Sequence, residues 1–171
     1  MMILLSNQGS SIMFYKWNDS MSVGVPLINN DHRALIHLIN RLHESVSAQD
    51  AYDILDSLLN RLLDYVDIHF TREERMMEAC GYTEAAGHKE QHAAFIARMH
   101  GLRNTVNAET APSQIGDLAE YLKNWLNQHI LIQDKAYRRS VENNPGAVGR
   151  IAEAFGPGLY DKMPEPPARS G

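Results

Sequence analysis

The stretch AYDILDSLLNRLLDYVDIHFTREERMMEAC, Ala51 to Cys80, decides the fold. Read at a period of 3.6 residues, it aligns Leu55, Leu59, Leu62, Val66, His69, Glu73, Met76 and Cys80 on one face. No glycine or proline interrupts it before Gly81, a plausible helix C-cap. The stripe starts apolar and then sets a histidine and a glutamate where core side chains belong.

Three neighbouring segments repeat the pattern. INNDHRALIHLINRLHESV aligns Ile28, His32, Leu35, Ile39, Leu42 and Val46. The segment after Thr83, a candidate N-cap, aligns Ala85, His88, His92, Phe95, Met99 and Leu102. The one after Pro112-Ser113 aligns Ile115, Leu118, Leu122, Trp125 and His129. None shows strand-like alternation. Connections near Ala48–Asp50, Gly81–Thr83 and Asn104–Ala111 are short enough to make sequential helices antiparallel. The expected fold is all-α: an up-down-up-down four-helix bundle over residues 28–141, with an N-terminal arm (1–27) and a C-terminal extension (142–171) made of a short helix and a disordered end. Phe14, Tyr15 and Trp17 of the arm are expected to pack along the bundle, and Cys80 to be an inert buried thiol.

Composition narrows the functions. The 171 residues are 44% hydrophobic, enough for one core. A net charge of -5 gives no electrostatic footprint for nucleic acid or an anionic membrane surface. The single cysteine cannot form an internal disulfide, and no apolar run is long enough to span a bilayer. The expectation is a cytoplasmic protein with no nucleic-acid partner and no membrane insertion.

The inward polar set carries the chemistry. Residues four apart share a helix face, so His69/Glu73 and His88/His92 each aim two donor atoms at a common point, and His32 and His129 extend the set. Burying such a group dry is costly, and metal ions compensate for it well. One such histidine reads as a hydrogen-bonded core residue; five on four converging stripes do not. His37, His43 and His100 fall off the stripes or near a helix end and are assigned to the surface or boundary. Imidazole and carboxylate without thiolate suit iron, zinc, nickel or manganese. With the acid of HILIQD, seven ligands exceed one ion's needs. Two ions bridged by two carboxylates and a solvent-derived oxygen would divide the five histidines three and two, leaving one ion five-coordinate. The adjacent residues Leu35, Phe70, Trp125, Leu126 and Ile130 are apolar, so the open position faces a dry pocket suited to a small uncharged molecule such as dioxygen or nitric oxide.

With these motifs the sequence resembles the hemerythrin family, specifically the single-domain bacteriohemerythrins. The resemblance runs from Trp17 through Asp31-His32, HFTREERMM, YTEAAGHKEQHAAF and WLNQHILIQD to Tyr137, about seventy percent of the chain. It implies two non-haem iron ions bridged by an oxo or hydroxo group, and no haem. His88, His92 and His129 would hold the six-coordinate iron, His32 and His69 the five-coordinate one, and Glu73 and Asp134 would bridge them. It also implies reversible dioxygen binding at the open iron, for transport, storage or delivery, rather than an enzyme. The alternatives are a sensor of oxygen or nitric oxide that meets a protein partner through the C-terminal extension, and a diiron oxidase or peroxidase; the latter is disfavoured because no paired Glu-x-x-His motif and no buried proton donor is visible.

Three features depart from the family pattern. Asn29 stands where an acidic residue is usual, Thr83 stands in place of a proline, and the tail is longer than a minimal domain requires. In addition, His129 and Asp134 are five residues apart, roughly 140° around an ideal helix, so their convergence requires the last helix to distort.

Overall fold

The computed structural model describes residues 13–45 and 51–163. Four long helices form: α1 (Pro26–Glu44), α2 (Ala51–Ala79), α3 (Ala85–Thr105) and α4 (Ala111–Gln128). α4 runs on through a π-helical segment, His129–Asp134, into α5 (Lys135–Glu142), and after a break at Asn143–Asn144 comes α6 (Pro145–Phe155). α1 packs on α2 and α4, α2 packs on α3, and sequential helices run antiparallel. The fold is the all-α four-helix bundle that the stripes require.

The stripe residues are where periodicity puts them. Ile28, Leu35, Leu55, Leu59, Val66, Met76, Phe95, Met99, Ile115 and Leu122 are buried in one continuous core. His43 and His100 are exposed and His37 half-buried. Two boundaries shift. Glu84, not Thr83, stands at the N-cap position of α3 and makes no side-chain cap. α4 begins at Ala111, because Pro112 lacks only an N–H that the first helical turn leaves unpaired anyway. Val46, the Ala48–Asp50 connection, the first residues of the arm and the end of the tail lie outside the described residues.

α2 stops through its backbone. Gly81 takes φ +64°, its N–H donates to Glu78 O at 3.1 Å, and the Tyr82 N–H reaches Met77 O at 3.0 Å. The arm is tied down by polar contacts as well as packing: Asn40 exchanges two 2.8 Å bonds with the Tyr15 backbone, and Phe14 stacks on His43. Asn29 accepts from Val23 N–H and donates to Ser22 Oγ, fixing the turn into α1. Cys80 is buried, and burial raises its thiol pKa.

The extension lies on the bundle. α6 rests on α2 through half-buried Val148, Ile151, Ala152 and Phe155, and Asn144 Nδ2 donates to Cys80 O and Ser140 O. After Gly156 the chain turns across the bundle, burying Leu159, and the short 3-10 turn Tyr160–Lys162 meets α1.

Gly81→Ala should lower stability by about 1 kcal/mol, because a Cβ at that left-handed backbone angle is strained even though it meets no neighbour within 4 Å. Equilibrium urea unfolding measures it; a variant as stable as the parent would contradict the backbone stop.

Candidate metal centre

Seven side chains converge between the four helices. α1 supplies His32, α2 supplies His69 and Glu73 one turn apart, α3 supplies His88 and His92, and the π-helical segment supplies His129 and Asp134; none is more than 4% exposed. The π segment is what brings the last pair together. Its wider i→i+5 turn carries residues five apart toward the same side, which a regular helix cannot do.

The donor atoms fall into two groups: Glu73, His88, His92 and His129 in one, and His32, His69 and Glu73 in the other, each with its atoms within 4.8 Å of one another. Glu73 belongs to both. Its Oε2 lies 3.2 Å from His92 Nε2, 3.5 Å from His88 Nε2 and 3.8 Å from both His129 and His69 Nε2. Asp134 also faces both ways, with Oδ1 3.1 Å from His129 and 3.4 Å from His88, and Oδ2 3.2 Å from His32.

These contacts are close without being hydrogen bonds. His32 Nε2, His69 Nε2, His88 Nε2, Glu73 Oε2 and both Asp134 oxygens are buried and make no aligned hydrogen bond among the described residues. Orphaned buried polar atoms are costly, and here they all point at shared centres. That arrangement fits metal ligation. A divalent pair would supply the positive charge that the two carboxylates lack, and a redox-active pair would add electrons for binding a diatomic gas.

The surrounding residues orient the ligands. His92 Nδ1 pairs with Glu74 Oε1 at 2.9 Å, leaving Nε2 to face inward. Tyr137 O–H donates to Glu73 Oε1 at 2.5 Å, so Oε2 is the oxygen left toward the histidines. Tyr137 is a buried acid beside the site that the sequence reading missed. Burial, then the negative Glu73 and Asp134, hold its pKa well above the usual tyrosine value, which makes it a poor proton donor. Asp31, part of the motif but given no role there, and Arg72, also missed, are adjacent in sequence to His32 and Glu73; one Arg72 nitrogen donates to both Asp31 oxygens, at 2.7 and 2.9 Å. Asp31 Oδ2 lies 3.8 Å from His69 Nδ1.

The apolar neighbours are distributed around the site. Phe70 stacks on His92 with ring centres 3.7 Å apart and lies 5.5 Å from His69; half-buried Trp125 stacks on His129 at 4.6 Å. Leu35, Leu126 and Ile130 are buried in the same core.

Residues 23–139 match the family model described as the hemerythrin HHE cation binding domain. The chain belongs to the hemerythrin family. It is 32% identical over 140 residues to the bacteriohemerythrin of Stenotrophomonas maltophilia (strain R551-3), a match that covers 82% of this chain and 90% of that protein. A hemerythrin-like protein of Naegleria gruberi is 31% identical over 124 residues, covering 72% and 91%. A crystal structure of wild-type hemerythrin superposes with a TM-score of 0.64 at 24% identity, over 75% of this chain and 98% of that one, a likeness of fold. No described helix of this hemerythrin-family chain is long and apolar enough to cross a membrane.

Without metal, the site's own protons supply the compensating charge. Burial pushes His88 down, but Asp134 and Glu73 together outweigh it and raise its pKa to about 9. For Glu73, burial raises the pKa, but the nearby imidazoles, His129 and His69 foremost, outweigh it and leave it well below the usual range. In the metal-free chain the His88 shift therefore stabilises the fold fully below about pH 6.5, and that contribution is lost as pH rises through about 9. The Glu73 shift works the other way, present above the normal glutamate range and lost in acid. A metal ion must displace the His88 proton, so metal affinity should climb about tenfold per pH unit per proton displaced from neutral pH to about 9, then flatten. Chelator competition across that range measures it; a flat profile would contradict the proton assignment.

Proposed function

We propose that this chain is a non-haem diiron protein that binds dioxygen reversibly, as a carrier, store or local supply. The observation that carries the reading is the division of five histidines, three and two, between two donor groups that share Glu73. In that reading His88, His92 and His129 hold one iron, His32 and His69 the other, and Glu73 and Asp134 bridge them. The iron with two histidines keeps the open position. Nitric oxide is a second diatomic ligand of the same chemistry.

Family membership supports iron over other divalent ions, for which the ligand set alone is permissive. Five neutral imidazoles with two carboxylates bring less negative charge than the carboxylate-rich oxidase sites, which favours binding the oxygen molecule over cleaving it. The chain's own residues support the same end. Tyr137 keeps its proton and donates it in a hydrogen bond to Glu73, and Phe70, Leu126 and Ile130 help keep water from the histidines.

Dithionite-reduced, desalted protein should develop an absorption band in air and lose it under argon, through repeated cycles. His69→Ala, which removes a ligand from the open iron, should abolish the cycle while keeping the helical far-UV spectrum. A first exposure that runs straight to a stable oxidised form, with peroxide consumed or released, would favour the oxidase reading instead; full reversible binding by His69→Ala would sink the site assignment.

A further inference from the structure

The tail is not merely laid on the bundle; it is bonded to the neighbours of the histidines. The Arg72 guanidinium holds Asp31 with one nitrogen, while the other donates to Pro157 O at 3.1 Å and Phe155 O at 3.4 Å. The Leu159 N–H donates to Asp31 Oδ1 at 2.8 Å. One residue along, the Tyr160 N–H donates to Asn30 Oδ1 at 2.8 Å, and Asn30 Nδ2 donates to Asp161 at 2.9 Å.

The seat fits this segment closely. A Cβ at Gly158 would stand 2.1 Å from Asn30 Oδ1 and 2.6 Å from Asn30 Cβ, inside any permitted contact, so only glycine lets the strand of tail lie against α1. Asp31 and Arg72 are 0% and 2% exposed. A charge pair buried this deeply is costly unless further hydrogen bonds support it, and the tail backbone supplies three of them, two to the second Arg72 nitrogen and one to Asp31 Oδ1.

We propose that Gly156–Met163 is a strap forming the outer wall of the two-histidine half of the metal centre, and that by fixing Asp31 beside His69 it governs how tightly that half keeps its ion. The inference rests on the diiron reading above. The strap's Leu159 N–H and Arg72 grip one carboxylate from two sides, and that carboxylate's other oxygen faces the Nδ1 edge of His69. With the strap lifted, water reaches Asp31 and Arg72, the carboxylate loses its fixed position, and the His69 ring loses its outer support. The coupling is reciprocal: an ion that fixes His69 also holds the strap down. The three-histidine half has its own support in Glu74.

The test uses the full chain loaded with ferrous iron under argon, desalted and challenged with a ferrous chelator, with hydrogen exchange of the strap amides followed in parallel. Gly158→Ala should expose the Leu159 and Tyr160 amides and speed release of one of the two ions by about tenfold or more, leaving the other ion and the helical far-UV spectrum unchanged. Leu159→Pro, which removes the donor at a φ of −67° that proline accepts, should produce the same selective release. In the wild type, Tyr160 exchange should be slower with iron than without. Wild-type release of both ions from Leu159→Pro overturns the strap, as does equal acceleration of both ions in the two variants. A wild-type chain that retains no iron defeats the diiron reading and this inference with it; two retained ions with unaltered release in the variants defeat the strap alone.

Discussion

The whole structure depends on burying two carboxylates and five imidazoles at one point between four helices. Such a set is tolerable only if its charges and donor atoms are neutralised locally, by ions or by protons. Each helix contributes at the depth where its stripe changes from apolar to polar: His32 early in α1, His69 and Glu73 late in α2, His88 and His92 early in α3, and His129 where α4 ends. Those depths coincide only when sequential helices run antiparallel. The apolar remainder of each stripe then fills the other end of the bundle with Leu55, Leu59, Ile115 and Leu118. The hydrophobic core thus continues around the site, with Leu35, Phe70, Met76, Leu126 and Ile130, and fills the length of the bundle beyond it.

The same constraint explains the irregularity in the last helix. A regular helix that presents His129 to the centre turns Asp134 well away from it. The widened turn accepts weaker backbone geometry so that both side chains face inward, and α5 then continues at the right angle to bring Tyr137 onto Glu73. One local distortion thus positions a histidine, a carboxylate and the tyrosine that fixes which Glu73 oxygen is free.

Outside this ring, support comes from two different sources. On the three-histidine side it is local, with Glu74 on α2 reaching His92. On the two-histidine side it comes from far along the chain, with Leu159, Pro157 and Phe155 closing over Asp31 and Arg72. The tail thereby converts what would be a solvated ion pair on the bundle surface into a buried one beside the metal centre.

The sequence by itself determined the helices, their antiparallel order and the inward histidines, because a 3.6-residue period is a local property that survives without knowledge of what each face meets. It also exposed the conflict at His129 and Asp134, since five-residue spacing is arithmetic. It could not resolve that conflict, because whether a helix loosens depends on what its neighbours require of it. Nor did it reveal the pairing of Asp31 with Arg72, which lie one residue off their stripes; a segment more than eighty residues beyond Arg72 accepts from its guanidinium. The same holds for Gly158, unremarkable in the sequence yet unable to bear a side chain against Asn30. Periodicity reports which face of a helix is apolar, but the partner of a polar residue beside that face is set by chain folding over long separations, and only the tertiary structure decides it.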